Sequence, residues 1–424
     1  MKNTRAIFYI VILFLSHCLL TKSEPEVSAI DYLIARLAQG IGNINTAESG
    51  SMYWIKQYGV EGKETTAVSV VSDLNDDIYV TGYTNGNLDG IYQTSGESHY
   101  DLFVKKFNSE GEGVWTELLG VKAANTYPTK ILSDLQNNVY VLGNTNGDLD
   151  KQVKSGSGTD GFIIKYDGNG NKLWTKLQGH QNANTYFVHG AFSLSENLYI
   201  VYYTQTTNND SITYYITKYD STGEMQWDKK LGYYHDVQAN GIIVDQDEAI
   251  YITGSTTQDL NGESVTGLTD LFVIKLNKDK TVLWTKLLGV SSTSTLATDI
   301  ASDGENNFFV TGHTYGSLNG EETTGYWHLF LIKYDRDGNT WWTRILLDYK
   351  SRFMEKMAYH SQSHIYMFGG ESPFFLSSYN TKGEKKWSMK LNVYLKAITA
   401  DTQGYAYLIG TTANKSYSFI AKCK

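Results

Sequence analysis

Short runs of apolar, β-branched and aromatic residues recur along the chain, and residues typical of turns separate them. The segment 78–82 (Ile-Tyr-Val-Thr-Gly) is one such run, and 162–167 (Phe-Ile-Ile-Lys-Tyr-Asp) is another. Runs of this length between Gly, Asp and Asn are typical of β-strands joined by tight turns. From about residue 50 onward the pattern therefore predicts an all-β protein.

Seven tryptophans mark a repeat of this pattern. Each stands in a short β-like run, and neighbouring tryptophans are 45 to 61 residues apart. Between two tryptophans the same three runs follow in order; the second ends in glycine, as at Gly82, and the third carries lysine, as at Lys165. The chain therefore contains units of four strands each. The tryptophans are Trp54, Trp115, Trp174, Trp227, Trp284, Trp342 and Trp387.

Seven four-stranded units predict a seven-bladed β-propeller. The repeats begin with a lone tryptophan strand at 53–59 and end with a lysine-bearing strand at 416–423, with no tryptophan strand after it. We therefore expect the first strand to complete the last blade, whose other three strands come from the C-terminus. Such closure removes free strand edges around the ring. The predicted fold is all-β, with a short helical leader before the propeller.

The repeat resembles the bacterial SBBP-type β-propeller repeat. Its elements here are W-x-x-x-x-G, a turn with Asp, Y-V-T-G, a G-x-L-D/N-G loop, F-V-I-K-Y-D and G-x-x-x-W, and 284–342 carries them almost completely. The resemblance covers about 50–424, although Tyr202 replaces the glycine of the third unit and Ser378 the lysine of the sixth. Proteins of this group are commonly exported and have no assigned function. The resemblance therefore implies architecture and export but no catalytic residues.

The N-terminus has the pattern of a targeting segment. Lys2 and Arg5 precede an apolar run at 6–15. This run is shorter than the roughly 20 residues that span a bilayer, so it indicates a signal peptide rather than a membrane anchor. We predict the signal peptide at 1–23.

A leader at 24–50 is expected between the signal peptide and the propeller at 51–424. Its apolar residues recur at helical spacing and predict a short amphipathic helix packed against the main domain. A helix on a membrane surface is the alternative, which the scarcity of lysine on the polar face disfavours. The apolar positions are Ile30, Leu33, Ile34 and Leu37.

Cys18 leaves two fates open for the exported chain. It ends the segment Leu-Ser-His-Cys at 15–18, which resembles a bacterial lipobox whose cysteine becomes lipidated, although His17 replaces the usual small residue. The alternative is ordinary cleavage near 21–23, which discards Cys18. We expect a secreted, periplasmic or lipid-anchored protein of a bacterial cell envelope. Cys423 then has no cysteine partner, so no disulfide scaffold is expected.

Composition narrows the classes of partner. The chain has 424 residues, a formal net charge of −9, 39 glycines and 3 prolines. An acidic chain does not neutralise phosphate backbones, so nucleic-acid binding is not expected. Apart from a lipid anchor at Cys18 we expect no membrane contact, and we expect a monomer.

No cofactor or metal site is predicted. The motif G-x-G-x-x-G at 156–161 opens a strand, whereas in a dinucleotide site it opens a helix. Acidic turns at 73–77 and 245–248 offer oxygen ligands, but they lack EF-hand spacing and lie where every unit needs a hairpin turn. His360 and His364 flank a turn and have no third ligand at a useful spacing. Weak calcium binding by acidic loops stays open.

The repeated tryptophans and lysines are predicted to be structural. Seven similar copies indicate that each blade docks on its neighbour in the same way. Tryptophan buries a large area, so we expect it between blades. Lysines such as Lys165, Lys275 and Lys333 are expected to lie along apolar surface, with their ammonium groups near turn acids or water.

Residues that interrupt the repeat are the first candidates for ligand binding. The first strand of a propeller blade usually lines the central channel, and His189, Asp299 and Arg352 lie in such runs. Asp236 and Lys396 share this property. A ligand in the channel would contact these residues. The alternative is a channel that holds only water and solvated charges.

A second candidate surface lies in long loops that follow the Y-V-T-G strands, such as 83–100 and 313–328. These loops carry Tyr92, Tyr326 and Trp327, and aromatic residues are common anchors at binding surfaces. We expect a non-enzymatic module that binds or scaffolds a protein or glycan partner. The alternative is a carbohydrate-active hydrolase or lyase, which would need two carboxyl groups within ~5–10 Å at the channel mouth.

Overall fold

Each unit of the repeat forms one antiparallel sheet, because its short apolar runs end in tight Asp- and Gly-containing turns. The predicted signal peptide, the leader helix and Cys18 lie outside the described residues, which all belong to the second of the chain's two units, Asn45–Lys424. The computed structural model describes residues 51–155, 158–208, 211–233, 237–350, 354–360, 364–370, 374–391, 393–412 and 415–424.

The described residues contain 28 strands. In chain order they are β1 (Met52–Gly59), β2 (Thr65–Ser72), β3 (Ile78–Thr84), β4 (Asp101–Phe107), β5 (Gly113–Leu119), β6 (Thr126–Ser133), β7 (Val139–Thr145), β8 (Asp160–Tyr166), β9 (Lys172–Gln178), β10 (Ala183–Phe192), β11 (Leu198–Thr206), β12 (Ile212–Tyr219), β13 (Met225–Tyr233), β14 (Gln238–Val244), β15 (Ile250–Thr256), β16 (Asp270–Leu276), β17 (Val282–Leu288), β18 (Thr295–Ser302), β19 (Phe308–Thr314), β20 (His328–Tyr334), β21 (Thr340–Lys350), β22 (Met354–His360), β23 (His364–Gly369), β24 (Phe374–Asn380), β25 (Lys385–Leu391), β26 (Tyr394–Ala400), β27 (Ala406–Thr411) and β28 (Tyr417–Cys423).

These strands form seven sheets of four strands, which confirms the predicted seven-bladed propeller. Blades 1 to 6 are consecutive, and the first strand of each contacts the first strands of the neighbouring blades, with β26 and β2 in contact where the ring closes. The blades are β2–β5, β6–β9, β10–β13, β14–β17, β18–β21 and β22–β25, followed by blade 7, which has the order β1-β28-β27-β26.

Blade 7 closes the ring as the sequence predicts. Strand β1 pairs antiparallel with β28, so that Trp54 lies opposite Lys422 and Gln57 opposite Phe419. The Ser51 and Lys424 backbones exchange two hydrogen bonds of 2.8 and 3.0 Å. The N-terminal strand therefore supplies the outermost position of a sheet whose other strands come from the C-terminus.

The hydrophobic core lies between the blades rather than inside one layer. One cluster joins Tyr79 and Val104 of blade 1 to Ile131, Val141 and Ile164 of blade 2, and all five are buried. Similar clusters lie at five further seams, from that between blades 2 and 3 to that between blades 5 and 6, and between blades 7 and 1. Burial of apolar area on both faces of each sheet is the main stabilising contribution in such an arrangement.

Two faces of the ring are distinguished below. The top face is the end at which the first strand of each blade begins, and it carries the loops between second and third strands, such as 85–100. The bottom face carries the turns between first and second strands, such as 73–77, and those between third and fourth strands. In the described ranges the only regular helix is a single 3-10 turn, Leu149–Lys151, and none has the length and apolarity to cross a bilayer.

Candidate functional site

The seams between blades repeat one set of contacts. In blade 1 the rings of Tyr79 and Trp115 pack with centroids 5.8 Å apart, and the Tyr79 hydroxyl donates a 3.1 Å hydrogen bond to Asp73. Lys106 Nζ lies 5.1 Å from the centroid of the Tyr79 ring and 2.7 Å from Asp77 Oδ2. The same ring pair recurs in the other blades as Tyr140–Trp174, Tyr199–Trp227, Tyr251–Trp284, Phe309–Trp342, Tyr366–Trp387 and Tyr407–Trp54.

The tryptophan also holds the next blade. Trp115 Nε1 donates a 3.2 Å hydrogen bond to the Gly168 carbonyl in a bottom turn of blade 2, and Lys106 Nζ donates to the same oxygen at 3.0 Å. Gly170 in that turn has φ 89°, and a Cβ there would lie 3.0 Å from the Trp115 ring. Equivalent glycines face the tryptophans of the preceding blades at Gly111, Gly223, Gly338 and Gly383.

The repeated lysines lie where they were predicted. Lys165 Nζ is 4.8 Å from the centroid of the Tyr140 ring and 3.6 Å from Asp134 Oδ2. Lys275 and Lys333 lie over aromatic rings of their own blades in the same way. These tryptophans, tyrosines and lysines pack on one another at the blade seams and therefore belong to blade docking.

The innermost strands follow a different rule. Each of the seven carries a β-bulge at the same place, for example between Pro128 and Lys130 in β6 and between Ala297 and Asp299 in β18. A bulge adds one residue and re-aims the side chains beside it. The residue after the bulge varies among the blades, and two of them have lysine there. From blade 1 to blade 7 these residues, here called the channel ring, are Ser69, Lys130, His189, Gly241, Asp299, Lys356 and Ala397.

Charged side chains of the channel ring influence one another across the channel. Lys130 belongs to blade 2, whereas Asp299 and Lys356 belong to blades 5 and 6 on the far side of the ring. Burial lowers the pKa of Lys130 to about 8; the negative charge of Asp299 opposes this shift, and repulsion by Lys356 adds to it. The charges of Asp299 and Lys356 thus act on Lys130 from the far side of the ring.

His189 is a buried member of the channel ring, with 8% of its surface exposed. Burial, together with the positive charges of Lys130 and Lys356, lowers the pKa of His189 well below its usual value, and the nearby Gly190 backbone opposes this shift without overcoming it. The imidazole is therefore neutral near pH 7, with one donor and one acceptor nitrogen. Among the described residues neither nitrogen has a hydrogen-bond partner. Buried polar groups without partners are rare, and they point to a water or a ligand.

The charges of the channel ring are unequally compensated. Asp299 accepts hydrogen bonds from the amides of Ile300 at 3.0 Å and Met357 at 2.9 Å, so its carboxylate is held by the neighbouring blade. Within the described part of the chain, no ion pair involves Lys130 or Lys356. The channel ring therefore presents two ammonium groups, one amide-bound carboxylate and one neutral imidazole.

Tyrosines lie toward the top ends of three of the innermost strands, above the channel ring. Tyr127 lies three residues before Lys130, and Tyr186 and Tyr394 hold the equivalent place in β10 and β26. We call these three the rim tyrosines. Tyr127 packs edge-on against Tyr83 with centroids 5.0 Å apart, and Tyr394 is 52% exposed. Three residues of bulged strand place the channel ring roughly 7–10 Å below the rim.

Only some of the residues that were predicted to line the channel belong to the channel ring. His189 and Asp299 are members of the channel ring. Lys396 is exposed and forms the bulge of β26, where the ring member is Ala397. The remaining predicted residues of this group, Arg352 and Asp236, lie outside the described residues.

Lys130 and Lys356 were missed by the sequence analysis, because each looks like an ordinary polar residue of an alternating strand. One signal in the sequence marks them. Every ring member lies four residues before the turn residue that ends its strand, as Lys130 does before Asp134 and Lys356 before His360. Aligning the seven units on that turn residue finds the whole channel ring.

The predicted loop aromatics lie on the top face in two separate places. Tyr92, 81% exposed, is in the top loop of blade 1, and Tyr326, 56% exposed, is in that of blade 5. Trp327 is partly buried, with its ring centroid 5.1 Å from that of His313 and 6.0 Å from that of Tyr315. Tyr326 and Trp327 therefore belong to one surface, and Tyr92 belongs to another blade.

The acidic turns of the bottom face hold their own hairpins together. A cavity of about 270 Å³ lies between the bottom turns of blades 1, 2, 6 and 7, and Asp73, Asp134 and Asp401 contribute to its lining. Each of these carboxylates accepts hydrogen bonds from backbone amides two and four residues later. Across the described ranges, no group of three or more His, Cys, Asp or Glu side chains is placed to hold a metal ion.

Solved structures resemble this chain in fold. The Dos1 propeller aligns with a TM-score of 0.50 at 9% identity, over 89% of this chain and 97% of that one. The propeller domain of Cps50 (Swd1) from Myceliophteria thermophila has a TM-score of 0.47 at 8% identity, over 86% of this chain and 99% of that one. A protein of unknown function from Bacteroides caccae has a TM-score of 0.40 at 10% identity, over 68% and 89%.

Sequence comparison points to the same architecture. No curated protein sequence is significantly similar to this chain. Three segments, 54–89, 114–150 and 283–319, match the model of the SBBP β-propeller repeat. Each segment runs from the tryptophan strand of one blade, or from the residue just before that tryptophan, into the top loop of the next. The chain is therefore a seven-bladed β-propeller, three segments of which match the SBBP β-propeller repeat.

Proposed function

We propose that this propeller is an exported, non-enzymatic binding module that holds the end of a glycan at the top mouth of its channel. One observation carries the proposal. At seven positions with the same backbone geometry the blades carry different side chains, and Lys130, His189, Asp299 and Lys356 are charged or titratable. A channel that only had to be filled would be served by one small or apolar residue in every blade.

The depth of the channel ring favours a narrow ligand. The ring lies roughly 7–10 Å below the rim tyrosines, so a flat protein surface does not reach it, whereas a chain end does. Tyrosine rings offer an apolar face and a polar edge, and binding sites for small ligands combine such faces with a few polar groups. Tyr326 and Trp327 extend the aromatic surface of the same face.

Two further features support the other parts of this proposal, which are export and a non-enzymatic role. The basic and apolar pattern of 1–23 favours export. Asp299, the carboxylate of the channel ring, is occupied by two backbone amides, which suits a positioning role better than proton transfer. A protein partner is the competing occupant and is separated from a glycan by experiment.

The test is a glycan-binding panel with the purified full chain. The double variant Tyr127→Ala/Tyr186→Ala is expected to weaken binding at least tenfold, because it removes the stacking faces of the mouth. Tyr233→Ala removes an exposed tyrosine from the outermost strand of blade 3 and serves as the control. Binding that survives the double variant, or capture of proteins without any glycan, contradicts the proposal.

A further inference from the structure

We propose that the channel selects a glycan that ends in an acidic sugar, whose single carboxylate lies between Lys130 and Lys356. This inference rests on the proposed function and names the chemical class of ligand for the same site. It is carried by the position of the two lysines on opposite sides of the channel and by their lack of ion-pair partners in the described residues.

The positive charge of the channel ring favours the binding of an anion. Two ammonium groups and one carboxylate leave an excess of one positive charge, and Asp299 already accepts hydrogen bonds from two amides. Lys130 and Lys356 repel each other, which is costly in a partly buried place. A bound carboxylate removes this repulsion and gives each lysine a charge-assisted hydrogen bond.

His189 supplies the group that distinguishes a sugar from a simple anion. Its two nitrogens are buried and have no partner among the described residues. A neutral imidazole donates one hydrogen bond and accepts another. A hydroxyl group of the same sugar satisfies either role, so the channel ring contains a place for the carboxylate and a place for a neighbouring hydroxyl.

The rest of the protein argues against a polyanion. The chain carries a formal net charge of −9, so its surface repels ligands with a negative charge on every unit. An isolated carboxylate at a chain end avoids most of this repulsion and reaches the local excess of positive charge. The expected ligand is therefore an oligosaccharide with one terminal uronic acid rather than a polyuronate or a nucleic acid.

The experiment uses matched pairs of oligosaccharides that differ only at C6 of the terminal sugar, a uronate in one member and the parent hexose in the other. Binding to the full chain is measured by calorimetry near pH 7. We expect the uronate member to bind at least tenfold more tightly than its neutral partner. In Lys130→Met/Lys356→Met this ratio is expected to fall to about one.

Controls separate the possible failures. Lys386→Met removes an exposed lysine from the outer strand of blade 6, and it is expected to preserve the ratio. Equal binding of both members by the parent chain overturns the inference and leaves the proposed function standing. Binding of neither member in any pair overturns the proposed function as well. The comparison of the two ligands on the parent chain stays decisive even where a lysine variant does not fold.

Discussion

The seams between blades and the channel ring are built on the same sevenfold repeat, yet they use it in opposite ways. At the seams one aromatic pair recurs in all seven blades, with a tryptophan in each. At the channel ring the bulge recurs, but the seven blades carry six different residue types, with lysine in two of them. Repetition follows from identical docking geometry. The ring positions vary on an identical backbone, and only some of their side chains contact the next blade, as Ser69 and Asp299 do through the amides of Ile131 and Met357.

Blade 4 lacks the glycine that packs on the tryptophan of the preceding blade, and another contact takes its place. Its bottom turn carries Lys280 with φ 62°, where blades 1, 2, 3, 5 and 6 have glycine. The ammonium group of Lys280 lies 5.7 Å from the Trp227 ring of blade 3. A cation–π contact thus stands where other blades pack a glycine against the ring.

Replacing a seam tryptophan is expected to have the largest effect. Trp115→Ala removes the ring that packs on Tyr79 and contacts Gly170, and it removes the hydrogen bond to Gly168. Substitutions of this kind cost about 3–5 kcal/mol. Denaturant unfolding followed by fluorescence and circular dichroism measures the loss. A loss below about 1 kcal/mol would show that the seam does not depend on this ring.

A pair of glycine substitutions tests the close approach at the seam. Gly170 and Gly90 both have positive φ, but a Cβ at Gly170 meets the Trp115 ring, whereas nothing lies within 4 Å of one at Gly90. In both alanine variants the left-handed backbone conformation is expected to lower the free energy of unfolding by about 1 kcal/mol. Gly170→Ala is expected to lose roughly 1 kcal/mol more, because an overpacked contact must shift. If chemical denaturation shows that both variants lose the same free energy of unfolding, the contact with the Trp115 ring does not contribute to the cost.

The pH dependence of ligand selectivity tests the channel ring. The pKa of Lys130 is lowered to about 8, so Lys130 is charged below that pH and loses its charge as the pH rises through it. The preference for a uronate over its neutral partner is therefore expected to fall several-fold between pH 7 and 9, while binding of the neutral ligand stays constant. Asp299, Lys356 and His189 are the other groups that face this charge.

A conservative variant provides the control for that profile. Lys130→Arg keeps its charge throughout the range, since the arginine pKa is far higher. The profile of this variant is expected to be flat between pH 7 and 9. A parent profile that is equally flat would mean that Lys130 does not contact the acidic group.

The sequence was sufficient to predict the fold. Tryptophan spacing, the glycine that ends each second strand and the unmatched first and last strands together predict seven blades and their closure, as Trp54 opposite Lys422 confirms. The tryptophan recurs in all seven units and the glycine in six, so a single departure such as Tyr202 does not obscure the pattern.

The channel ring was predicted only in part, for a physical reason. Side chains alternate along a strand, and a bulge shifts that alternation by one residue. Without the bulge position, Lys396 looked like a channel residue although Ala397 holds the ring position, and Lys130 looked like an ordinary polar residue. The influence of Lys356 on Lys130 depends on the closed ring, which brings distant segments together across the channel.

The most direct measurement is the free energy of unfolding of Lys130→Met/Lys356→Met, compared with Trp115→Ala under the same conditions. The double substitution removes two like charges and keeps apolar side chains of similar length. If the lysines bind a ligand and do not stabilise the fold, the free energy of unfolding stays within about 1 kcal/mol of the parent or rises. A loss as large as that of the tryptophan variant would contradict this, since the channel ring would then be a structural element like the seams.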